Sequence, residues 1–254
     1  MDKSKIEWCD STWNPVSGCL HDCPYCYAKR IAERFAPKQA DFSSDFASKT
    51  ETNSITSKGG IELTEVLRDS NGRALAYPFG FTPTFHRYRL DEYKNKSART
   101  IFVCSMADLF GDWVPDSWIE DVFAACKQSP QHRYLFLTKN PKRYVELDKK
   151  DKLPTDDNMW YGSTATDDDM PWFYSEKHHT FVSVEPIQKA IHPENTYTDW
   201  IIVGAETGNR KGKAVPKKEW INVFRSLTTP VFMKDSLIPI VGEENMIRQF
   251  PWTT

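Results

Sequence analysis

Apolar residues recur along the chain in short runs, each closed by a polar group and several followed by a helical period. Candidate strands are KIEWC (5–9), TPTFHRY (82–88), RTIFVCSM (99–106), RYLFLTK (133–139), MWYGSTA (159–165), TFVSVEP (180–186), DWIIVGAET (199–207) and PVFMKD (230–235). Helical patterns fall at Tyr27 to Phe35, Leu90 to Lys96, Asp116 to Gln128, Pro141 to Lys149 and Pro216 to Leu227. In the third helix Ile119, Val122 and Phe123 share a face, and Asp116 is placed to cap the N-terminus. Strand-helix alternation of this length implies an α/β fold with a parallel sheet, closed or partly closed as a TIM-like βα barrel.

Residues 36–80 interrupt the rhythm. Their first half is rich in Ser and Thr, and TEVLRDSNGRALAY reads as a hairpin turning at Ser70, Asn71 and Gly72. The segment is an insertion within one domain spanning 1–254, either a lid or a surface excursion.

The polar residues closing the runs are Cys104, Ser105 and Asp108; Thr138 and Lys139; Ser163, Thr164 and Thr166; Glu185; Glu206; and Lys234 with Asp235. A barrel gathers its active site at such strand ends, although any one of these residues is equally read as a solvated loop or capping group.

Composition narrows the class. Of 254 residues, 39% are hydrophobic and 27% charged, which suits a globular protein, and nine Trp suggest broad aromatic surfaces. A net charge of −2 argues against a wholly polyanion-binding surface but leaves room for a local basic patch. The opening residues MDKSKIEWCD lack the apolar core of a signal peptide, and no run is long enough to span a membrane. The expected location is the reducing cytoplasm, where six cysteines are metal ligands or redox groups rather than disulfides.

Three of those cysteines, Cys19, Cys23 and Cys26, form CxxxCxxC, with Tyr25 before the last. Zinc would need a fourth ligand, Cys9 or His21, and usually takes paired CxxC units. A 4Fe-4S cluster makes better use of three thiolates, one per iron, leaving the fourth iron without a protein ligand. Three buried, unligated thiols are the bland alternative.

The loop CLHDCPYCYA, lying between a strand and a helix, resembles the radical S-adenosylmethionine (SAM) superfamily, whose signature is CxxxCxΦC with Φ aromatic. The blocks IEWCDSTWNPVSGC, IFVCSMADLFGDWVPDSWIEDVF, SPQHRYLFLTKNPKRY, FVSVEPI and DWIIVGAETG resemble a small, phage-associated branch of it. The resemblance implies that Cys19, Cys23 and Cys26 hold the cluster, that Tyr25 lies near the adenine, and that SAM chelates the open iron. An electron from a donor such as flavodoxin or ferredoxin would cleave SAM to a 5′-deoxyadenosyl radical, which abstracts hydrogen from the substrate. The chain departs from the superfamily in one respect: FTPTFHRY lacks the Gly-Gly-Glu that often binds the SAM amino group. Glu185, Glu206 and Ser163 are then candidates for SAM or substrate polar groups, and both glutamates equally suit structural roles. Cys126 reads as a small buried residue. Cys104 is a candidate hydrogen-atom donor to a product radical, with ordinary packing the commoner role.

Beyond β-rich runs, TGNRKGKAVPKK carries Arg210, Lys211, Lys213, Lys217 and Lys218, able to grip a phosphate backbone or simply to be solvated. Trp113, Trp160 and Trp172 are candidates to stack on a base, or are core. The phage association favours DNA, with isomerase-type rearrangement of a modified, thymine-derived base, which would have to leave the stack. Radical chemistry on a small metabolite or peptide, and a non-catalytic zinc or iron-sulfur protein, stay open beside it.

Overall fold

A computed structural model of the chain describes residues 4–38, 56–193, 197–208 and 210–253. The polar first half of the insertion expected over 36–80 thus lies largely outside the described residues. The chain divides into two units, Met1–Ser4 with Cys9–Tyr134, and Lys5–Trp8 with Leu135–Thr254. Among the described residues no helix is long and apolar enough to cross a membrane.

The first unit holds β1 (Ser11–Trp13), β2 (Val16–Ser17), α1 (Tyr27–Phe35), β3 (Ile61–Leu63), β4 (Thr84–His86), β5 (Thr100–Val103) and α2 (Asp116–Lys127). β1 runs parallel to β5, with Ser11 opposite Ile101 and Trp13 opposite Val103. The run 5–9 is not a strand: the first strand begins later, at Ser11, where side chains alternate into the core. TPTFHRY forms β4, but in a separate three-stranded sheet of order β2-β4-β3, antiparallel on one side and parallel on the other. Residues 90–96 make turns rather than a helix, following a 3-10 turn at Arg87–Arg89. In α2, Trp118, Ile119, Val122, Phe123 and Cys126 are buried, as its apolar spacing requires. Asp116 is the first helical residue and Pro115 precedes it as N-cap without a side-chain hydrogen bond. The acid still meets the positive helix end. Within 67–75 the chain doubles back through a turn: Leu75 N donates to Leu67 O, and Asp69 Oδ1 accepts from Asn71 N and Arg73 N.

His86 is fully buried in β4, its Nε2 paired with Ser17 Oγ at 2.8 Å and its Nδ1 with Tyr88 Oη at 3.1 Å. Burial, aided by Arg89, pushes its pKa down from 6.5 to about 3. The unfolded chain therefore takes up this proton first. The stability from a neutral His86 is complete above about pH 6.5 and is lost as pH falls towards 3. Urea unfolding at pH 4 to 7 is expected to show His86→Gln losing less stability with acid than the parent, by about 1.4 kcal/mol per pH unit at the steepest. Equal pH slopes would refute it.

The second unit holds α3 (Lys142–Asp148), β7 (Met159–Thr164), β8 (His179–Val184), β9 (Trp200–Val203), α4 (Lys218–Asn222), β10 (Val231–Met233) and α5 (Ile238–Val241). β6 (Arg133–Thr138) carries the division between the units. β7 to β10 pair parallel in sequence order, and each is buried along almost its whole length. Gly162 in β7 faces Phe181 in β8, and a Cβ there would sit 2.2 Å from the phenyl ring. Trp200 centres an aromatic cluster with Trp8, Phe181, Phe232, Phe250 and Trp252, at centroid distances of 5.1–6.4 Å. The segment 5–8 is bound there too, since Glu7 Oε2 accepts from Asp235 N at 2.7 Å and Arg248 Nη1 at 3.0 Å.

The barrel expectation is corrected by this topology. The fold is α/β with a seven-stranded parallel sheet of order β1-β5-β6-β7-β8-β9-β10, and only 22% of it is helical. A barrel needs an outer ring of helices, one after each strand. Here β7 connects to β8, and β8 to β9, with no α-helix among the described residues. Those connections carry Pro171, Pro186 and Pro193 and no 3.6-residue apolar period, which disfavours helix in them.

Candidate functional site

The three clustered cysteines occupy the loop from Gly18 to Cys26, between β2 and α1 in the first unit. The loop starts at a glycine for a steric reason. Gly18 has φ +85°, and a Cβ would lie 2.3 Å from Thr82 O. Its N–H donates to Met106 O, which seats the loop against the turn after β5. At the other end Cys26 is the N-cap of α1, its Sγ accepting from Lys29 N at 3.3 Å. Ala28 and Ala32 pack the helix onto Met106.

Between these anchors a third tie was not apparent in the sequence. His21 Nε2 meets Asp108 Oδ2 at 2.7 Å, and Asp108 is buried. The other carboxylate oxygen of Asp108 accepts from Phe110 N at 3.0 Å, fixing its orientation. The His21 ring stands edge-on to Trp113 at 4.9 Å, so this tryptophan braces the loop. Asn14 holds the same turn, its Oδ1 accepting from Ser105 Oγ and Met106 N. Asp108 is visible in the sequence as a polar residue near a strand end, but its separation from His21 by 87 residues hides the pairing.

Burial pushes the Cys19 thiol up to about 12, against the pull of the His21 N–H on its sulfur; Asp108, Cys23 and Cys26 raise it further. The Cys23 and Cys26 sulfurs thus both sit within electrostatic reach of Cys19. Among the described residues no group of three or more His, Cys, Asp or Glu is drawn together so as to hold a metal ion. A single ion demands donors about 2.3 Å from one point. An iron-sulfur cube asks less, because each thiolate binds a different iron, and three soft donors in a short loop suit that chemistry. By donor type the loop fits a cluster better than zinc. Tyr25 lies half-exposed within it.

Cys104 follows β5 in a left-handed conformation, φ 59°, and is 3% exposed. Its thiol accepts from Val16 N–H, and burial pushes its pKa up to about 12. Cys126 is wholly buried on α2.

The remaining candidates lie in the second unit. Ser163 is buried, and its Oγ accepts from Phe173 N at 2.9 Å. Glu185, just past β8, pairs with Lys234, just past β10, and Gly204 leaves room for both: a Cβ there would meet Lys234 Cδ at 3.0 Å. Glu206 is buried and takes both arms of one guanidinium, Arg210 Nε at 2.6 Å and Nη2 at 2.7 Å. Arg210 is thereby committed to fastening the loop. Lys213 donates to Gly208 O, and Lys217 lies over the Trp220 ring, while Lys211 and Lys218 are exposed. Lys218 shares a shallow groove with Asn222, Arg225, Ser226 and Asn245, adding a cation, Arg225, that the loop motif did not include. Trp160 is core, stacked on His179, and Trp172 packs against the apolar cluster around Ile201 and Val182.

Comparison with known families finds a match over residues 3–231 to a model described as a protein of unknown function, DUF5131. Searches of curated proteins and of solved structures find no match.

Proposed function

We propose that this chain, which belongs to the DUF5131 family, is a radical SAM enzyme that acts on a modified, thymine-derived base in DNA. The observation that carries the reading is the loop itself: three thiols within eight residues, anchored by Gly18, His21 and the start of α1. Cys19, Cys23 and Cys26 would hold the cluster, and Tyr25, next to Cys26 in the loop, would be at hand for the bound SAM. Once bound, the 4Fe-4S cluster supplies one-electron reductive cleavage of S-adenosylmethionine. The protein's own part is positional. Asp108 and Asn14 hold the loop against the turn after β5, and the Glu206–Arg210 pair fixes the base of the cationic loop. Lys211, Lys213, Lys217 and Lys218 offer charge to phosphates, and Glu185 with Lys234 offers a matched pair for a polar, zwitterionic group.

The test is anaerobic reconstitution with iron and sulfide, then turnover with SAM and phage DNA, followed by nucleoside mass spectrometry. A brown protein that releases 5′-deoxyadenosine and alters a nucleoside supports the reading. Zinc binding without SAM cleavage overturns it. Deoxyadenosine release with unchanged DNA transfers the chemistry to a small metabolite or peptide. Replacing the four lysines by alanine is expected to weaken DNA binding and flatten its salt dependence by about 3 to 4 in log-log slope. Cys104→Ala is expected to leave deoxyadenosine release intact because the thiol is buried. Unchanged product as well would exclude it as the hydrogen donor.

A further inference from the structure

One face of α1 is apolar, cationic and exposed. Tyr27, Ile31 and Phe35 are 45%, 37% and 60% exposed, and Leu20 in the thiol loop is 55% exposed. Eight large hydrophobic side chains are exposed among the described residues, and these four fall within one stretch of sixteen residues, 20–35. Tyr27, Ile31 and Phe35 share one face of a single helix, and a shared apolar face of this kind marks an interaction surface, whereas scattered singles do not. At 100° per residue, Arg30, Arg34, Tyr27, Ile31 and Phe35 occupy one arc of about 140°. Lys29 and Glu33 fall on the opposite side, where Lys29 is tied to Asp22 at 2.6 Å. Arg34 lies over the Phe35 ring, 5.6 Å from its centroid. Aromatic residues and arginine are the types that carry most energy in protein interfaces.

Two further facts select the occupant. The first is charge: Arg30, Arg34 and the exposed Lys38 border the apolar stripe, which favours an acidic partner. The second is position, because α1 starts at Cys26. With a rise of 1.5 Å per residue, Ile31 and Phe35 lie about 7.5 and 13.5 Å along the axis from that thiol. A nucleic acid would use the arginines but leave Leu20, Ile31 and Phe35 uncovered, so a protein fits better. We propose that this face docks a small acidic one-electron carrier protein, of the flavodoxin or ferredoxin class. The inference rests on the reading of Cys19, Cys23 and Cys26 as cluster ligands. One electron leaves the carrier and one enters the cluster, and no bond is made or broken at the surface.

The test compares the parent with Ile31→Glu/Arg34→Glu, both changes being exposed and outside the thiol loop. Binding of flavodoxin to the reconstituted protein is measured by calorimetry at low and moderate salt. Deoxyadenosine release is then driven either by flavodoxin with its reductase or by dithionite. The double variant is expected to bind flavodoxin at least tenfold more weakly and to lose flavodoxin-driven release by a similar factor, while dithionite-driven release is unchanged. Equal flavodoxin binding in both proteins overturns the proposal. So does loss of duplex DNA binding, or of self-association, in the variant with flavodoxin binding intact. Absence of dithionite-driven release from the parent defeats the cluster reading instead, and the calorimetric comparison still judges the docking face separately.

Discussion

Replacing Cys26 with serine is expected to strip the iron while leaving the fold intact. The residue does two jobs: its sulfur caps α1 by accepting from Lys29 N, and it is one of the three thiols assigned to the cluster. Serine is among the better N-caps, so Cys26→Ser keeps the first job, whereas Cys26→Ala forfeits it at a cost of about 1 kcal/mol. Both remove the second. Serine's harder oxygen is a poor iron-sulfur ligand, so iron should fall from about four per chain towards zero after anaerobic reconstitution. Deoxyadenosine release should drop by on the order of 100-fold or more, beyond the ~10–100-fold typical of losing an outer-shell partner. Iron analysis, the visible spectrum and a thermal melt together check the prediction. Retained iron in Cys26→Ser refutes the ligand assignment. Lost iron with a collapsed melt in alanine alone would separate capping from ligation.

The largest effect on stability is expected at Trp200. It is fully buried, ringed by five aromatic side chains, and its Nε1 donates to Gln249 O at 2.9 Å. Trp200→Ala should cost about 3–5 kcal/mol, the range for deleting a large core aromatic. For a chain of this size that lowers the midpoint of thermal unfolding by roughly 6–20 °C. Trp200→Phe keeps most of the ring contacts but orphans the Gln249 carbonyl, costing about 1–3 kcal/mol. Near-ultraviolet circular dichroism through a thermal ramp distinguishes the series. If alanine yields no folded protein, the phenylalanine variant still gives a midpoint, and a midpoint equal to the parent's would refute the role.

Whether such features are legible in a sequence depends on the range over which they are encoded. The bounds of α1 were readable to the residue because capping and periodicity are local, and the runs that became β5 to β10 were readable because strands buried on both faces are continuous apolar stretches. β2 and β3, at two and three residues, carry no period at all, so the small sheet that captured β4 left no trace. KIEWC was mistaken for a strand because Ile6 and Trp8 alternate with polar residues, yet residues 5–8 belong to the second unit. The site divides the same way. The thiols announced themselves by spacing, and Arg210 was visible four residues after Glu206, but as a cation for phosphate rather than as that acid's partner. Pairs such as His21 with Asp108 and Glu185 with Lys234 join segments 87 and 49 residues apart, a distance no local pattern spans.

The tether at Glu7 matters most while the protein is being made. Its carboxylate finds Asp235 N and Arg248 at separations of 228 and 241 residues, so the partners of this segment are synthesised long after it. Until they do, Trp8 has no Trp200 to lie against and remains an exposed indole on the nascent chain. Closure of so long a loop is an entropically costly step that local folding cannot bring forward. The second unit is therefore completed by joining early residues to late ones, and cannot mature domain-fashion in the order of translation.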